Sequence, residues 1–239
     1  MKKIVLTIPA IMIVFAAISQ TSKKPANMDL TRAGDHLMVQ LGSEKWLGSQ
    51  DSISKHSTGI ARVGNVYLMM DKPFKGNPKI SVAFGVGIST SNEYFKKMGV
   101  DVKATSTKLP FTALDSLNHY KKYKLTTSYL EVPIELRFCA DPYNDRKSLK
   151  FALGAKVGTL LSVHTKGKTL QDKNDKVVTA VIAKENSKHY FNGTRLSLTG
   201  RIGYGNFSVF GSYQVNTFLK DGVGPDIRPL QFGICLSGL

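Results

Sequence analysis

From residue 36 onward the chain consists of segments in which apolar residues alternate with polar or small ones, and the connections between them alternate in length. Long connections fall near 42–58, 91–123, 165–191 and 217–227, and short ones near 71–77, 140–147 and 205–206. In an up-and-down sheet every second connection lies at the same end. All long loops therefore gather at one end and all tight turns at the other, the arrangement of a transmembrane β-barrel with short periplasmic turns and long external loops.

The two-residue period predicts eight strands, near 36–41, 59–71, 79–90, 124–139, 148–164, 194–204, 207–216 and 228–238. An even count of eight is the smallest common in bacterial barrels. The third strand sets Ile80, Val82, Phe84, Val86 and Ile88 against Ser81, Ala83, Gly85, Gly87 and Ser89. The fourth sets Leu130, Val132, Ile134, Leu136 and Phe138 against Tyr129, Glu131, Pro133, Glu135 and Arg137. In the fifth, the run Leu149 to Leu161 opposes Lys150, Gly154, Lys156, Gly158 and Ser162. No charge stands on the apolar faces just given.

Alternation alone also fits a water-soluble, lipocalin-like barrel, which keeps its large apolar side chains inside. Three features favour apolar-out. The polar face is rich in Gly, Ser and Ala, which fit a narrow eight-stranded interior. Its charges, Glu131, Glu135, Arg137, Lys150, Lys156, Arg195 and Arg201, are placed to form a lumen network. The long loops all lie at one end. The expected fold is an all-β, eight-stranded antiparallel up-and-down transmembrane barrel over 35–239, preceded by a signal peptide at 1–19 and a periplasmic tether at 20–34.

The leader reading rests on Met1-Lys2-Lys3, an apolar run from Ile4 to Ile18, and small residues Ala17 and Ser19 at the cleavage region. The run is short for a membrane anchor. Discounting Lys2 and Lys3 leaves 31 basic against 17 acidic residues, a balance of +14. An exported protein this basic is expected to meet outer-membrane lipid with anionic head groups, along with envelope protein partners, and not nucleic acid. Cys139 and Cys235 are the only cysteines. They form neither a disulfide framework nor a metal-ligand spacing, although a bridge between them stays open. No cofactor is expected.

At the turn end, Gly205-Asn206 between Tyr204 and Phe207 predicts a type II′ hairpin. Asp141-Pro142-Tyr143-Asn144-Asp145 is dense in turn formers. Tyr204, Phe207, Phe138 and Tyr143 fall near that end, as an interfacial aromatic girdle does.

The stretch Tyr129-Leu130-Glu131-Val132-Pro133-Ile134-Glu135-Leu136-Arg137-Phe138 resembles one common in the PorT-like outer-membrane β-barrel family of Bacteroidetes. Lys150-Phe151-Ala152-Leu153-Gly154-Ala155-Lys156 and Gly200-Arg201-Ile202-Gly203-Tyr204-Gly205 fit the same pattern. The resemblance covers the chain from about residue 35 and implies fold and location. It does not carry over the secretion role of the family's name-giving member.

The long loops hold the basic excess. Lys96, Lys97, Lys121, Lys122, Lys166 and Lys168 are candidate contacts for anionic lipid, with Tyr94, Phe95, Tyr120 and Tyr123 placed for the interface. One reading is recognition of a lipopolysaccharide-like anion, the other a solvated, membrane-compatible rim. Val177-Val178-Thr179-Ala180-Val181-Ile182 is expected to be a short strand covered by its own loop, with an extended hairpin as the other reading. Ser162 and His164 share a strand face and are the sole pointer to a lipid A-type hydrolase or acyltransferase, which would need Glu185 or Asp172 to fold back as the third group. An eight-stranded interior filled by side chains argues against a channel. The expected role is therefore non-enzymatic: an envelope scaffold, an adhesion protein, or an accessory to assembly or secretion.

Overall fold

The computed structural model describes residues 37–58 and 61–238. The expected signal peptide and tether lie outside these residues. Among them run β1 (Leu37–Leu47), a short helix α1 (Asp51–His56), β2 (Ala61–Phe74), β3 (Asn77–Phe95), β4 (Met98–Val100), β5 (Phe111–Ala113), β6 (His119–Cys139), β7 (Leu149–Gln171), β8 (Val177–Asn186), β9 (Thr194–Tyr204), β10 (Phe207–Gln214) and β11 (Arg228–Ser237). Strands β1, β2, β3, β6, β7, β9, β10 and β11 pair antiparallel in that order, and β11 returns to β1. The result is a closed eight-stranded barrel. Closure leaves no open edge within the bilayer, where an unpaired backbone group has no water to turn to. β4 and β5 form a separate small sheet, and β8 pairs only with β7.

The apolar sets face outward on every barrel strand. Ile134 is 54% exposed, Leu153 73% and Leu198 59%, while Glu131 and Glu135 on the opposite face are buried. A soluble monomer does not carry an uninterrupted apolar belt around its whole girth. On β6 the belt runs from Leu130 to Phe138. At ~3.4 Å per residue and a tilt near 40°, that gives a height of roughly 20 Å, close to the ~25 Å band of outer-membrane barrels.

At the turn end, Gly205 has φ +59°, where a Cβ would strike the Arg146 carbonyl. This is the first central position of the expected type II′ hairpin, and Tyr204 pairs directly with Phe207. Asp141 Oδ1 accepts the amides of Tyr143 (3.0 Å) and Asn144 (3.3 Å), fixing the β6–β7 connection. Phe138, Tyr143, Tyr204 and Phe207 are all exposed here.

Above the belt the strands continue beyond their expected ends, and their polarity inverts. On β6 the inward positions become apolar, with Leu125 and Tyr123 buried, while the outward ones become Lys124 and Lys122. β7 makes the same change through a β-bulge. Tyr129 pairs with Leu160 and Ser128 with Ser162, so Leu161 is extra. From Ser162 onward the facing of β7 is reversed. Ser162, assigned from the sequence to the lumen side, therefore stands on the outer face opposite Ser128.

The inward apolar positions support a cap over the barrel mouth. Phe95, Met98, Val100, Tyr123, Leu125, Val163, Tyr190, Phe191, Phe218, Leu219 and Ile227 form one buried cluster with Trp46 packed against it. The Trp46 and Phe218 rings lie 5.2 Å apart, and Phe191 and Phe218 5.3 Å apart. Backbone bonds stitch the loops together, including Leu109 N–H to Val223 O (2.8 Å) and Asn192 N–H to Phe218 O (3.0 Å). The Tyr190 hydroxyl donates to the Ala104 carbonyl at 2.7 Å. Phe95 and Tyr123, expected at the lipid interface, are instead core residues of this cap.

Candidate functional site

Inside the belt the lumen is filled by a polar network. Arg195 Nη1 donates to Glu131 Oε1 (3.2 Å) and Ser89 Oγ (3.3 Å), and its Nε donates to Gln214 Oε1 (3.1 Å). Tyr67 Oη donates to Glu131 Oε2 at 2.6 Å, and Lys156 Nζ donates to Tyr67 Oη at 3.2 Å. Closer to the turn end, Glu135 accepts from Arg137 Nε (3.0 Å) and Arg201 Nη2 (2.8 Å), and Arg137 reaches Asp71 at 3.9 Å. Glu131, Glu135, Arg137, Lys156, Arg195 and Arg201, read from the sequence as lumen charges, take part in it. Lys150 sits at the turn-end margin and is half-buried. Lys156 Nζ also donates to Gln40 Oε1 at 3.4 Å, and Asp71, Tyr67 and Gln40 were not singled out from sequence. Gly158 gives Glu131 its room, since a Cβ there would lie 2.8 Å from the Glu131 Cγ. These bonds join β9 to β3 and β7 to β1 across the interior, so the lumen is a packed, charged core and not an open bore.

The outer face above the belt has a different character. The rungs of the sheet place Tyr94 opposite Lys124, Lys124 opposite Lys166, and Lys166 opposite Lys184. One rung higher, Lys122 stands opposite Lys168. Arg62, on the neighbouring strand, lies 5.5 Å from the Tyr94 ring centre, and Lys124 Nζ lies 6.0 Å from it. Arg62, Lys122, Lys124, Lys166 and Lys168 line a cleft of about 500 Å³ against Tyr94, and no carboxylate lines it. In this stretch burial, reinforced by the Lys166, Arg62 and Lys168 charges, pulls the Lys124 ammonium below its ordinary pKa.

Three of the six candidate lipid contacts, Lys122, Lys166 and Lys168, converge in this cleft. The others do not line it. Lys96 and Lys121 are exposed, and Lys97 pairs with Asp175 at 3.6 Å. Arg62 and Lys124 were missed. The signal for Lys124 was present in the two-residue spacing of Lys122 with Lys124 and of Lys166 with Lys168, which puts each pair on one face of its strand.

Ser162 and His164 do share a face, the outer one. Across the rungs His164 meets Thr126 and Asn186. Burial, then Lys184, Lys124 and Lys166, pull its pKa down. Glu185 stands opposite Thr165, on the other side of the sheet. Asp172 Oδ1 is held by the amides of Asn174 and Lys176, both at 2.9 Å. The Val177–Ile182 segment is not covered by its own loop. It lies in β8, which extends the β7 hairpin with its side chains largely exposed. The reason is geometric: β9 pairs with β7 only as far as Thr159, and β8 takes up the vacated edge above.

A closed antiparallel barrel with a lipid-facing apolar belt, a charged lumen and a packed cap defines an outer-membrane β-barrel protein. The family model described as outer membrane protein beta-barrel domain matches residues 43–219, and the chain belongs to that family. A search of the curated proteins finds no match.

Proposed function

We propose that this protein is a non-enzymatic outer-membrane scaffold, whose working surfaces are its extracellular cap and outer rim. The observation that carries this reading is the filling of the molecule along its axis. Glu131, Arg195, Tyr67 and Lys156 occupy the lumen, and the cluster around Phe218 and Tyr190 packs the mouth. Solute conduction is thereby disfavoured. What remains for function is the exterior: a rigid cap, the β7–β8 hairpin and the cationic wall. An adhesion role or an accessory role in envelope assembly or secretion fits such a platform.

The environment of Ser162 and His164 supports the non-enzymatic reading over a lipid hydrolase. A serine nucleophile needs a base within reach and a third group orienting that base. Here Glu185 lies on the other side of the sheet, Asp172 is held by backbone amides, and lysines surround the imidazole. The test is lipid A composition, by mass spectrometry, in cells carrying the wild-type protein, Ser162→Ala, or no protein. Identical profiles are expected. Loss of a deacylated or acylated species in Ser162→Ala cells would replace the scaffold reading with the enzyme.

A further inference from the structure

The cleft on the outer wall is electrostatically frustrated as it stands. Directly opposed like charges destabilise a sheet. Yet Lys124 faces Lys166, Lys166 faces Lys184, and Lys122 faces Lys168, on adjoining rungs of one face. Arg62 adds a fifth cation to the four lysines that line the cleft. The two carboxylates adjacent in sequence to these rungs are turned away. Glu93 points inward to bond the Ser57 hydroxyl, and Glu185 lies on the opposite side of the β7–β8 ladder. An anion is the missing member of this arrangement.

The height of the cleft selects among anions. Above the last apolar belt residues, Ile88 and Leu130, β3 and β6 carry two rungs of neutral hydrogen-bonding side chains, Thr90 with Ser128 and Asn92 with Thr126, and the second of these also holds Arg62 on β2. The cationic rung of Lys124 is the third, six positions beyond Leu130. Six residues span about 20 Å of strand, or roughly 15 Å of height at the tilt of such barrels. The headgroup layer of a bilayer is only about 5–8 Å deep on each side of the hydrocarbon. A glycerol-linked phosphate thus sits near the hydroxyl and amide rungs, below the lysines even when these snorkel downward. A phosphate carried on a sugar reaches further out. It meets the lysines while the sugar hydroxyls lie along the neutral rungs and a ring face lies against Tyr94.

We infer that the cleft bounded by Arg62, Tyr94, Lys122, Lys124, Lys166 and Lys168 binds the phosphorylated saccharide headgroup of an outer-leaflet glycolipid. The inference rests on the barrel's orientation in the membrane and holds whether or not the protein is an enzyme. It assigns the rim a specific ligand class, where the lysine count alone allowed a merely solvated surface.

The full-length barrel in phosphatidylcholine nanodiscs is titrated with three probes: a diphosphorylated, acylated glucosamine disaccharide lipid, phosphatidylglycerol, and inorganic pyrophosphate. Bound lipid is read by native mass spectrometry. The glycolipid is expected to bind at least tenfold more tightly than phosphatidylglycerol. Lys124→Glu combined with Lys166→Glu is expected to abolish that preference, whereas Lys96→Glu combined with Lys121→Glu, outside the cleft, leaves it intact. Heat-modifiable gel mobility verifies that each variant is folded. A second readout is stability: Lys124→Gln should raise the urea midpoint in lipid-free detergent and lose this advantage when the glycolipid is added. Equal binding of both lipids, or retained preference in the cleft variant, overturns the proposal. Full competition by pyrophosphate replaces the lipid with a soluble phosphate. Cleavage of the bound glycolipid would refute the scaffold reading while leaving the binding site standing.

Discussion

Arg195 and Glu131 are 64 residues apart in sequence and meet at 3.2 Å in the middle of the barrel. The pair is buried on both sides, and the guanidinium also lies 3.9 Å from the Tyr129 ring centre. Glu131 takes a second bond from Tyr67, which in turn receives Lys156. Removing the carboxylate takes from buried Arg195 its ion-pair partner and from Tyr67 its acceptor. Glu131→Ala is therefore expected to cost about 3–5 kcal/mol in urea unfolding from detergent micelles. Lys156→Met, which removes one charge and keeps the Arg195–Glu131 bond, should cost clearly less. Equal losses would mean that the network is not organised around Glu131.

Two isoleucines of similar exposure separate lipid from water. Ile134 is 54% exposed at mid-belt, and Ile182 is 63% exposed on β8. Ile134→Arg should destabilise the folded barrel by roughly 2–4 kcal/mol in a bilayer, whereas Ile182→Arg should fall within about 0.5 kcal/mol of wild type. Reversible unfolding in liposomes measures both. A neutral Ile134→Arg would mean that the belt does not touch hydrocarbon.

Glu93 lies above the belt, and burial pushes its carboxyl up to about 7, with the Ser57 hydroxyl opposing and the Glu44 charge adding to the rise. A carboxyl that holds its proton more tightly when folded contributes stability at low pH. That contribution declines as pH rises from the ordinary carboxylate range through about 7. Glu93→Gln should thus be more stable than wild type at pH 8, by at most ~3 kcal/mol, and nearly indistinguishable at pH 4.5. Urea midpoints at the two pH values test the sign. A larger benefit at pH 4.5 would refute it.

Cys139 and Cys235 are both buried and both unbridged. Cys139 Sγ contacts the Ser148 hydroxyl at 3.4 Å, and Arg201 donates to Cys235 Sγ at 3.6 Å. The bridge left open by the sequence is not formed. A maleimide reagent should label neither thiol in the folded barrel and both after unfolding, with no change in gel mobility on reduction.

The belt was legible because hydrocarbon imposes one rule on all eight strands. Ile80 to Ile88 and Leu130 to Phe138 each announce their outward face, and Gly205-Asn206 announces its turn. The upper half was not legible, because the rule reverses there. Once Leu125, Tyr123 and Val163 take the inward positions, a reader following outward apolar residues stops too early. Phe95 and Tyr123 then look like interfacial aromatics, and the 91–123 and 165–191 segments look like loops. The cap escaped for a related reason: Tyr190, Phe218 and Ile227 are scattered singly among polar residues, and only folding brings them together. The lumen charges were recoverable from parity, but their pairing was not, since Arg195 reaches Glu131 through space and not along a rung.

Leu161 is one residue with no partner across the sheet. Its presence decides what the outer third of β7 shows to the world. Deleting it would rotate that third by half a turn, sending His164, Lys166 and Lys168 beneath the cap and Val163 and Thr165 out to the headgroups. A shortening tolerated anywhere in the 172–176 tip would here exchange the wet and dry sides of a strand.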